Sequence, residues 1–238
     1  MRFMVVSDKG GRTVNEDAVG HKQKGNTYCF VLADGLGGHG CGDVASKLAV
    51  DTILECFDAQ PEISKDMAYS YLEAAQNALI DARNSNPQYS NMGTTITLLI
   101  TDGTTAVWGH CGDSRIYRIK KNKIQEITND HSVAFASFLA NEIRYSDIRT
   151  SPDQNKLLRT LSNGSKFIPD ISDAIVLPKN SVFLMCSDGF WEYVDEDFIE
   201  KSLRKNFSAK DWMNSMIEQR NKLAPSDADN FSAVAVMI

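Results

Sequence analysis

Long apolar runs are missing from this chain: no stretch of its 238 residues approaches the roughly 20 that a membrane-spanning helix requires. The apolar start, Met1 to Val6, gives way at once to Ser7-Asp8-Lys9 and is too short for a signal-peptide core, so the expected compartment is the cytoplasm. An odd cysteine count, five, agrees, because a secreted protein tends to pair its thiols. Cys29, Cys111 and Cys186 fall in strand-like runs and read as small buried hydrophobes, whereas Cys41, in a glycine-rich loop, reads as exposed. Positive charge is also in short supply: a formal net charge of -6 leaves no broad footprint for nucleic acid or an anionic membrane, and neither is expected as a partner. Proline is scarce, at 6 residues, and no low-complexity tract marks a boundary, so residues 1–238 are expected to form one domain. Closely spaced soft metal ligands are absent too. His21, His39, His110, His131 and the cysteines form no C-x-x-C or H-x-x-x-H set, which excludes the usual zinc sites.

What the chain does have is acid at the ends of apolar runs. Tyr28 to Ala33 leads into Asp34-Gly35, and Val182 to Ser187 leads into Asp188-Gly189. A buried strand delivers its last side chain to the sheet edge, and the glycine lets the backbone turn there. Two further acidic sites, Asn15-Glu16-Asp17 and Asp229-Asn230, flank the remaining ends of the pattern. Carboxylates that converge repel one another and take up protons unless a positive charge sits between them, and a divalent cation is the simplest resolution. Aspartate oxygens, a backbone carbonyl and water suit magnesium or manganese in octahedral geometry. Two such ions bridged by an aspartate would hold a hydroxide poised for in-line attack on phosphorus, which makes phosphate-ester hydrolysis the leading chemistry.

Periodicity predicts strands near residues 2–7, 27–33, 94–100, 104–111, 115–120, 123–127, 174–177, 181–187 and 231–237. Three helices are predicted over 44–57, with Val44, Leu48 and Cys56 on one stripe, over 67–83, with Tyr71, Ala75, Ala78, Leu79 and Ala82, and over 209–223. Gly103 and Lys121-Asn122 read as turns, which makes much of 94–127 an antiparallel meander. Strands and helices do not alternate strictly, so a doubly wound parallel sheet is disfavoured and an α/β sandwich of antiparallel sheets with helices outside is expected. The polar stretch from about 132 to 173 reads as an insertion or flap over one sheet end, with two short helices.

Rival chemistries fail on spacing. Gly35-Leu36-Gly37-Gly38-His39-Gly40 fits G-x-G-x-x-G, but Asp34 and Asp43 would repel a pyrophosphate at the helix start. A cysteine-dependent phosphatase built on Cys111 needs an arginine six positions on, where Tyr117 stands. Asp195-Glu196-Asp197 reads as a helix cap with first-turn acids, not as a nucleophilic D-x-D. Ser114 and Ser187 lack a G-x-S-x-G elbow and read as structural hydrogen-bonding residues.

Taken in order, Arg12-x-x-Asn15-Glu16-Asp17-Ala18, Ala33-Asp34-Gly35-Leu36-Gly37-Gly38-His39, Met92-Gly93-Thr94-Thr95, Gly112-Asp113-Ser114-Arg115, Thr128-x-Asp130-His131-Ser132, Cys186-Ser187-Asp188-Gly189 and Asp229-Asn230-x-Ser232 resemble the metal-dependent protein serine/threonine phosphatases of the 2C type, most closely the compact bacterial members. The resemblance implies two central antiparallel β-sheets flanked by α-helices, four layers in the order αββα. It implies a manganese or magnesium pair held by Asp17, Asp34, Asp188 and Asp229, with Asp34 bridging and the carbonyl of Gly35 as a further ligand. Asp113 would help hold a third ion, Glu16 would act through water, Asn230 would position its neighbour, and Gly93, Thr94 and Thr95 would be architectural. Arg12 would grip the substrate phosphate, a task that suits a guanidinium fork. The implied substrates are phosphoserine and phosphothreonine proteins, targets of a Ser/Thr kinase. The alternative is a noncatalytic phosphoprotein-binding member of the same fold.

Three departures stand out. The run from Asp8 to Arg12 is one residue shorter than the family's usual spacing. Leu36 occupies the position where eukaryotic members carry a histidine proposed as general acid, which leaves His39 or solvent to protonate the leaving alkoxide. The segment 132–173 lacks the family's more typical sequence, so no substrate preference is carried over.

Overall fold

Alternation along the strands sorts the apolar side chains into three layers of core, because successive residues of a strand point to opposite faces. The computed structural model describes residues 1–36, 41–161 and 167–238. One sheet has the order β1 (Arg2–Asp8), β11 (Phe231–Met237), β10 (Val182–Cys186), β6 (Arg115–Lys120), β7 (Lys123–Ile127). The other runs β2 (Asp17–Lys24), β3 (Thr27–Asp34), β4 (Ile96–Thr101), β5 (Thr105–Cys111), β8 (Asp170–Ile171), with β9 (Ile175–Val176) also paired to β5. All the pairings are antiparallel. Phe30, Leu32, Leu99, Trp108, Phe183, Met185 and Val234 meet between the sheets. Their neighbours Val31, Ala33, Leu98 and Val107 face α1 (Gly42–Ala59) and α2 (Lys65–Ser85). Leu184, Cys186, Ala233 and Ala235 face α3 (Val133–Leu139), α4 (Asp188–Trp191), α5 (Glu196–Leu203) and α6 (Ala209–Leu223). This is the expected αββα sandwich.

The long helices form where the periodicity places them, and Asp195 caps α5 by accepting from the Phe198 amide at 2.7 Å. Other expectations need correction. The buried stripe of α1 is Ala45, Ala49, Val50, Ile53 and Phe57, with Val44, Leu48 and Cys56 on its half-buried flank. Cys41 is half-buried as well, not exposed. β2 escapes periodicity because it is an edge strand, partly exposed and rich in polar residues. Residues 94–127 are not one meander: β4–β5 and β6–β7 are hairpins of different sheets. The second turns at Lys121-Asn122, where both residues take positive φ as a tight hairpin requires. Between the hairpins the chain crosses from one sheet to the other through Gly112-Asp113-Ser114. Gly112 has φ +118, and a Cβ there would lie 2.6 Å from the Thr95 side chain, so only glycine makes this crossing. Within 132–173, Phe135 and Ile148 join the α5/α6 side of the core while Phe167 and Ile171 join the α1/α2 side.

Candidate metal centre

Four strand ends converge at one end of the sandwich. Asp17 and Asp34 lie opposite each other in the β2–β3 ladder. Asp34 is locked through its backbone: its amide donates to Thr95 Oγ1 at 3.0 Å, and its carbonyl accepts from the Thr95 amide and Thr94 Oγ1, each at 2.8 Å. This is the architectural role expected of Thr94 and Thr95. The Gly35 amide donates to the Glu16 carbonyl at 3.1 Å, and a Cβ on Gly35 would fall 2.2 Å from the Gly42 carbonyl oxygen. The glycine therefore lets the start of α1 press directly onto this turn.

Ser187 and Asp188 follow β10. Ser187 Oγ donates to Asp17 Oδ2 at 2.8 Å and accepts from the Ser232 amide at 2.9 Å, the structural role expected of it. Asp229, just before β11, accepts from the Asn230 amide through Oδ1 at 2.8 Å and from Arg12 Nη2 through Oδ2 at 2.9 Å. Asn230 draws in the loop that precedes β2: its Oδ1 accepts from the Glu16 amide at 2.7 Å, and its Nδ2 donates to the Lys9 and Val14 carbonyls at 2.8 and 2.9 Å. Asp113 enters on the sheet-to-sheet crossing. Its carbonyl accepts from Trp191 Nε1 at 3.0 Å, and the Arg115 guanidinium lies 3.6 Å from the Trp191 ring while gripping both oxygens of Asp130 at 2.8 and 2.6 Å.

The carboxyls so assembled disturb one another. Burial pushes Asp17 up to about 6, with repulsion from Asp229 adding to it. Asp34 is raised well above the usual carboxylate range, first by desolvation, then by Asp17, Asp188 and Asp113. Asp188 behaves likewise, with Asp113, Glu192, Asp229 and Asp17 as its neighbours. Asp113 is pushed up to about 7 by burial and by Asp130. The cavity above them has a volume near 670 Å³, and Arg12 is the only cation among the described residues that line it. Glu16, Gly35, Leu36, Asn155 and Leu157 complete the rim and walls. Opposite Asp34 in the ladder, Asp17 Oδ1 is buried with no hydrogen-bond partner. An orphaned carboxylate oxygen among mutually repelling acids fits a site for hard divalent cations, and the all-oxygen donor set suits manganese or magnesium.

Sequence reasoning missed several supporting groups, because nothing local marks them. Trp191 reaches Asp113 only through the folded chain, and Arg220, on α6, donates to the Asp229 and Gly189 carbonyls. His110, His131 and Asp170 also come together, their donor atoms within 4.8 Å of one another. Three of their four ring nitrogens are engaged: His131 Nδ1 accepts from the Gly112 amide at 3.2 Å, His131 Nε2 meets Asp170 Oδ2 at 3.1 Å, and His110 Nε2 meets the Asn129 carbonyl at 2.8 Å. The two rings stack at 4.6 Å. Burial, then the neighbouring His131, lowers His110 to about 4 and keeps it neutral. The rival thiol chemistry fares worse in three dimensions, since burial pushes Cys111 up to about 12. His39, the possible general acid, lies outside the described residues.

The sequence pattern described as "Protein phosphatase 2C" matches residues 8–227. The chain belongs to the protein phosphatase 2C family. Among its curated relatives, protein phosphatase PhpP of Streptococcus pneumoniae is 27% identical over 235 residues, covering 95% of this chain and 94% of that protein. The serine/threonine phosphatase stp of Listeria welshimeri is 29% identical, covering 93% and 90%. The crystal structure of the serine/threonine phosphatase Stp1 from Staphylococcus aureus superposes with a TM-score of 0.88 at 28% identity, over 99% of this chain and 94% of that one. The catalytic domain of the phosphatase PstP, crystallised in complex with two manganese ions, gives a TM-score of 0.84 at 25% identity, over 98% and 96%. The 2C-type family assignment and its sandwich thus agree with the expectations drawn from the motifs.

Proposed function

We propose that this phosphatase hydrolyses phosphoserine and phosphothreonine in proteins, and that Asp17, Asp34, Asp188, Asp229 and the Gly35 carbonyl are the groups that would hold two manganese or magnesium ions, with Asp113 contributing to a third. The observation that carries the reading is the convergence of Asp17, Asp34, Asp188 and Asp229 from four separate strand ends, with Asp113 joining them after β5 and one Asp17 oxygen left unpartnered. Bound divalent cations supply an activated water and Lewis-acid polarisation of the phosphoryl oxygens. The protein's own residues do the rest. Asp34 would be presented to the cations by a backbone that Thr94 and Thr95 hold fixed. Ser187 orients Asp17 by occupying one of its two oxygens. Arg12, more than half exposed at the rim, gives up its bond to Asp229 for two oxygens of the incoming phosphate. Its shift turns a surface ion pair of small worth into a charge-assisted substrate contact.

The whole chain, 1–238, acts as one catalytic domain in this reading, with 132–173 as a flap that brings Asn155 and Leu157 to the substrate side of the cavity. Its substrates are the cytoplasmic targets of a Ser/Thr kinase. Among the described residues no helix is long and apolar enough to cross a membrane. The noncatalytic alternative is disfavoured, since every expected acidic position keeps its aspartate.

The test is turnover of a phosphothreonine peptide. Wild-type protein should be active with manganese and inactive in excess chelator. Arg12→Ala should raise KM on the order of 10-fold or more with a smaller change in kcat, because it removes a phosphate contact and leaves the metal ligands in place. Full activity in chelator overturns the metal-dependent reading, and an unchanged KM removes Arg12 from the substrate site.

A further inference from the structure

The core-facing stripe of α6 runs Ala209, Trp212, Met213, Met216 and then Arg220, which is 4% exposed. An apolar side chain is the ordinary occupant of such a position, and a buried guanidinium is costly unless its donors are used. They are used on two particular atoms. Arg220 Nε donates to the Gly189 carbonyl at 3.1 Å and Nη2 to the Asp229 carbonyl at 2.9 Å, while the guanidinium sits 4.1 Å from the Phe231 ring centroid. Gly189 directly follows Asp188, so one side chain ties the start of α4, which carries Asp188, to the segment that carries Asp229. These two segments already touch, since a Cβ on Gly189 would lie 2.1 Å from the Asn230 carbonyl oxygen. Their carboxyls nevertheless repel each other.

We infer that Arg220 is a positioning residue that clamps the start of α4 and the Asp229 segment together from behind, so that the carboxylates of Asp188 and Asp229 are held ready for the cations before any ion arrives. The inference rests on the reading of these two aspartates as metal ligands. The planar fork matters. A lysine ammonium is a point donor on a flexible stem and does not reproduce two fixed bonds to carbonyls on different segments. Groups that orient metal ligands typically affect metal affinity about 10- to 100-fold.

The experiment is calorimetric titration of metal-free protein with manganese, run on wild type, Arg220→Lys, Arg220→Met and Asp188→Asn, with thermal melts and the manganese dependence of kcat alongside. Arg220→Lys should bind manganese about 10-fold or more weakly, yet approach the wild-type kcat when manganese is saturating. Arg220→Met should show a larger loss of affinity. If the Met variant does not fold, the Lys variant alone decides. Weakened binding in Asp188→Asn with wild-type affinity in Arg220→Lys, even beside a lowered melting temperature, overturns the clamp and leaves a merely structural arginine. Wild-type affinity in Asp188→Asn overturns the metal-centre reading, and the clamp with it.

Discussion

Asp34→Asn should abolish turnover and, in the same protein, stabilise the metal-free fold. Both effects come from one charge. Asp34 lies at the middle of the cluster, where burial and the charges of Asp17, Asp188 and Asp113 all oppose its ionisation. Without cations, the ionised carboxylate is a liability, and a neutral amide of the same shape relieves it. In the proposed centre the same negative charge would help bind the cations, and an amide oxygen would be a poor substitute for it. Activity at saturating manganese should therefore fall on the order of 10³-fold or more, the scale at which loss of a central electrostatic group is felt in catalysis. The melting temperature in chelator should rise or stay level. Steady-state kinetics on a phosphothreonine peptide and a thermal melt check the two halves separately. A variant with wild-type kcat/KM would remove Asp34 from the centre, and a variant that is inactive because it no longer folds would fail the second half.

The stabilising effect of manganese should depend steeply on pH, and its direction follows from the raised carboxyls. Asp17 moves from its ordinary value up to about 6, and Asp113 up to about 7. A carboxyl whose folded-state pKa lies above its unfolded value contributes stability that is fully present below the unfolded value, near 4, and is lost as pH rises through the folded value. The metal-free protein should thus lose stability between about pH 4 and 7 from these groups. Manganese binds the ionised form, so it competes with protons at the low end and meets a charged, repelling cluster at the high end. At pH 8, with manganese about 100-fold above its dissociation constant, ligand linkage amounts to about 2.7 kcal/mol per site, or roughly 5–10 °C in a domain of this size. At pH 5.5 the shift should be much smaller. Thermal melts with and without manganese at both pH values measure it, and an equal or larger shift at pH 5.5 would contradict the raised carboxyls.

The parts of this molecule that could be read from sequence are those whose cause is local. Asp34-Gly35 and Asp188-Gly189 announce themselves because an apolar strand must end somewhere, and an acid followed by glycine at that end is an uncommon coincidence when repeated. The helices over α1, α2 and α6 follow from periodicity. β2 was illegible because an edge strand needs no apolar run, and its one buried acid, Asp17, is placed by its ladder partner Asp34. The transfer of the chain between sheets at Gly112 was illegible because two adjacent hairpins look alike whether or not they share a sheet. It is also the step that delivers Asp113 to the cavity. Arg220 was illegible for a different reason: on a helix its charge suggests a solvated face, and only the packing of α6 turns it inward.

The most direct measurement is anomalous diffraction at the manganese edge from crystals of the full chain soaked in manganese. Two strong peaks should lie between the carboxylates of Asp17, Asp34, Asp188 and Asp229, one of them within bonding distance of Asp17 Oδ1. No peak among these four residues, or manganese bound only at His110, His131 and Asp170, would contradict the account.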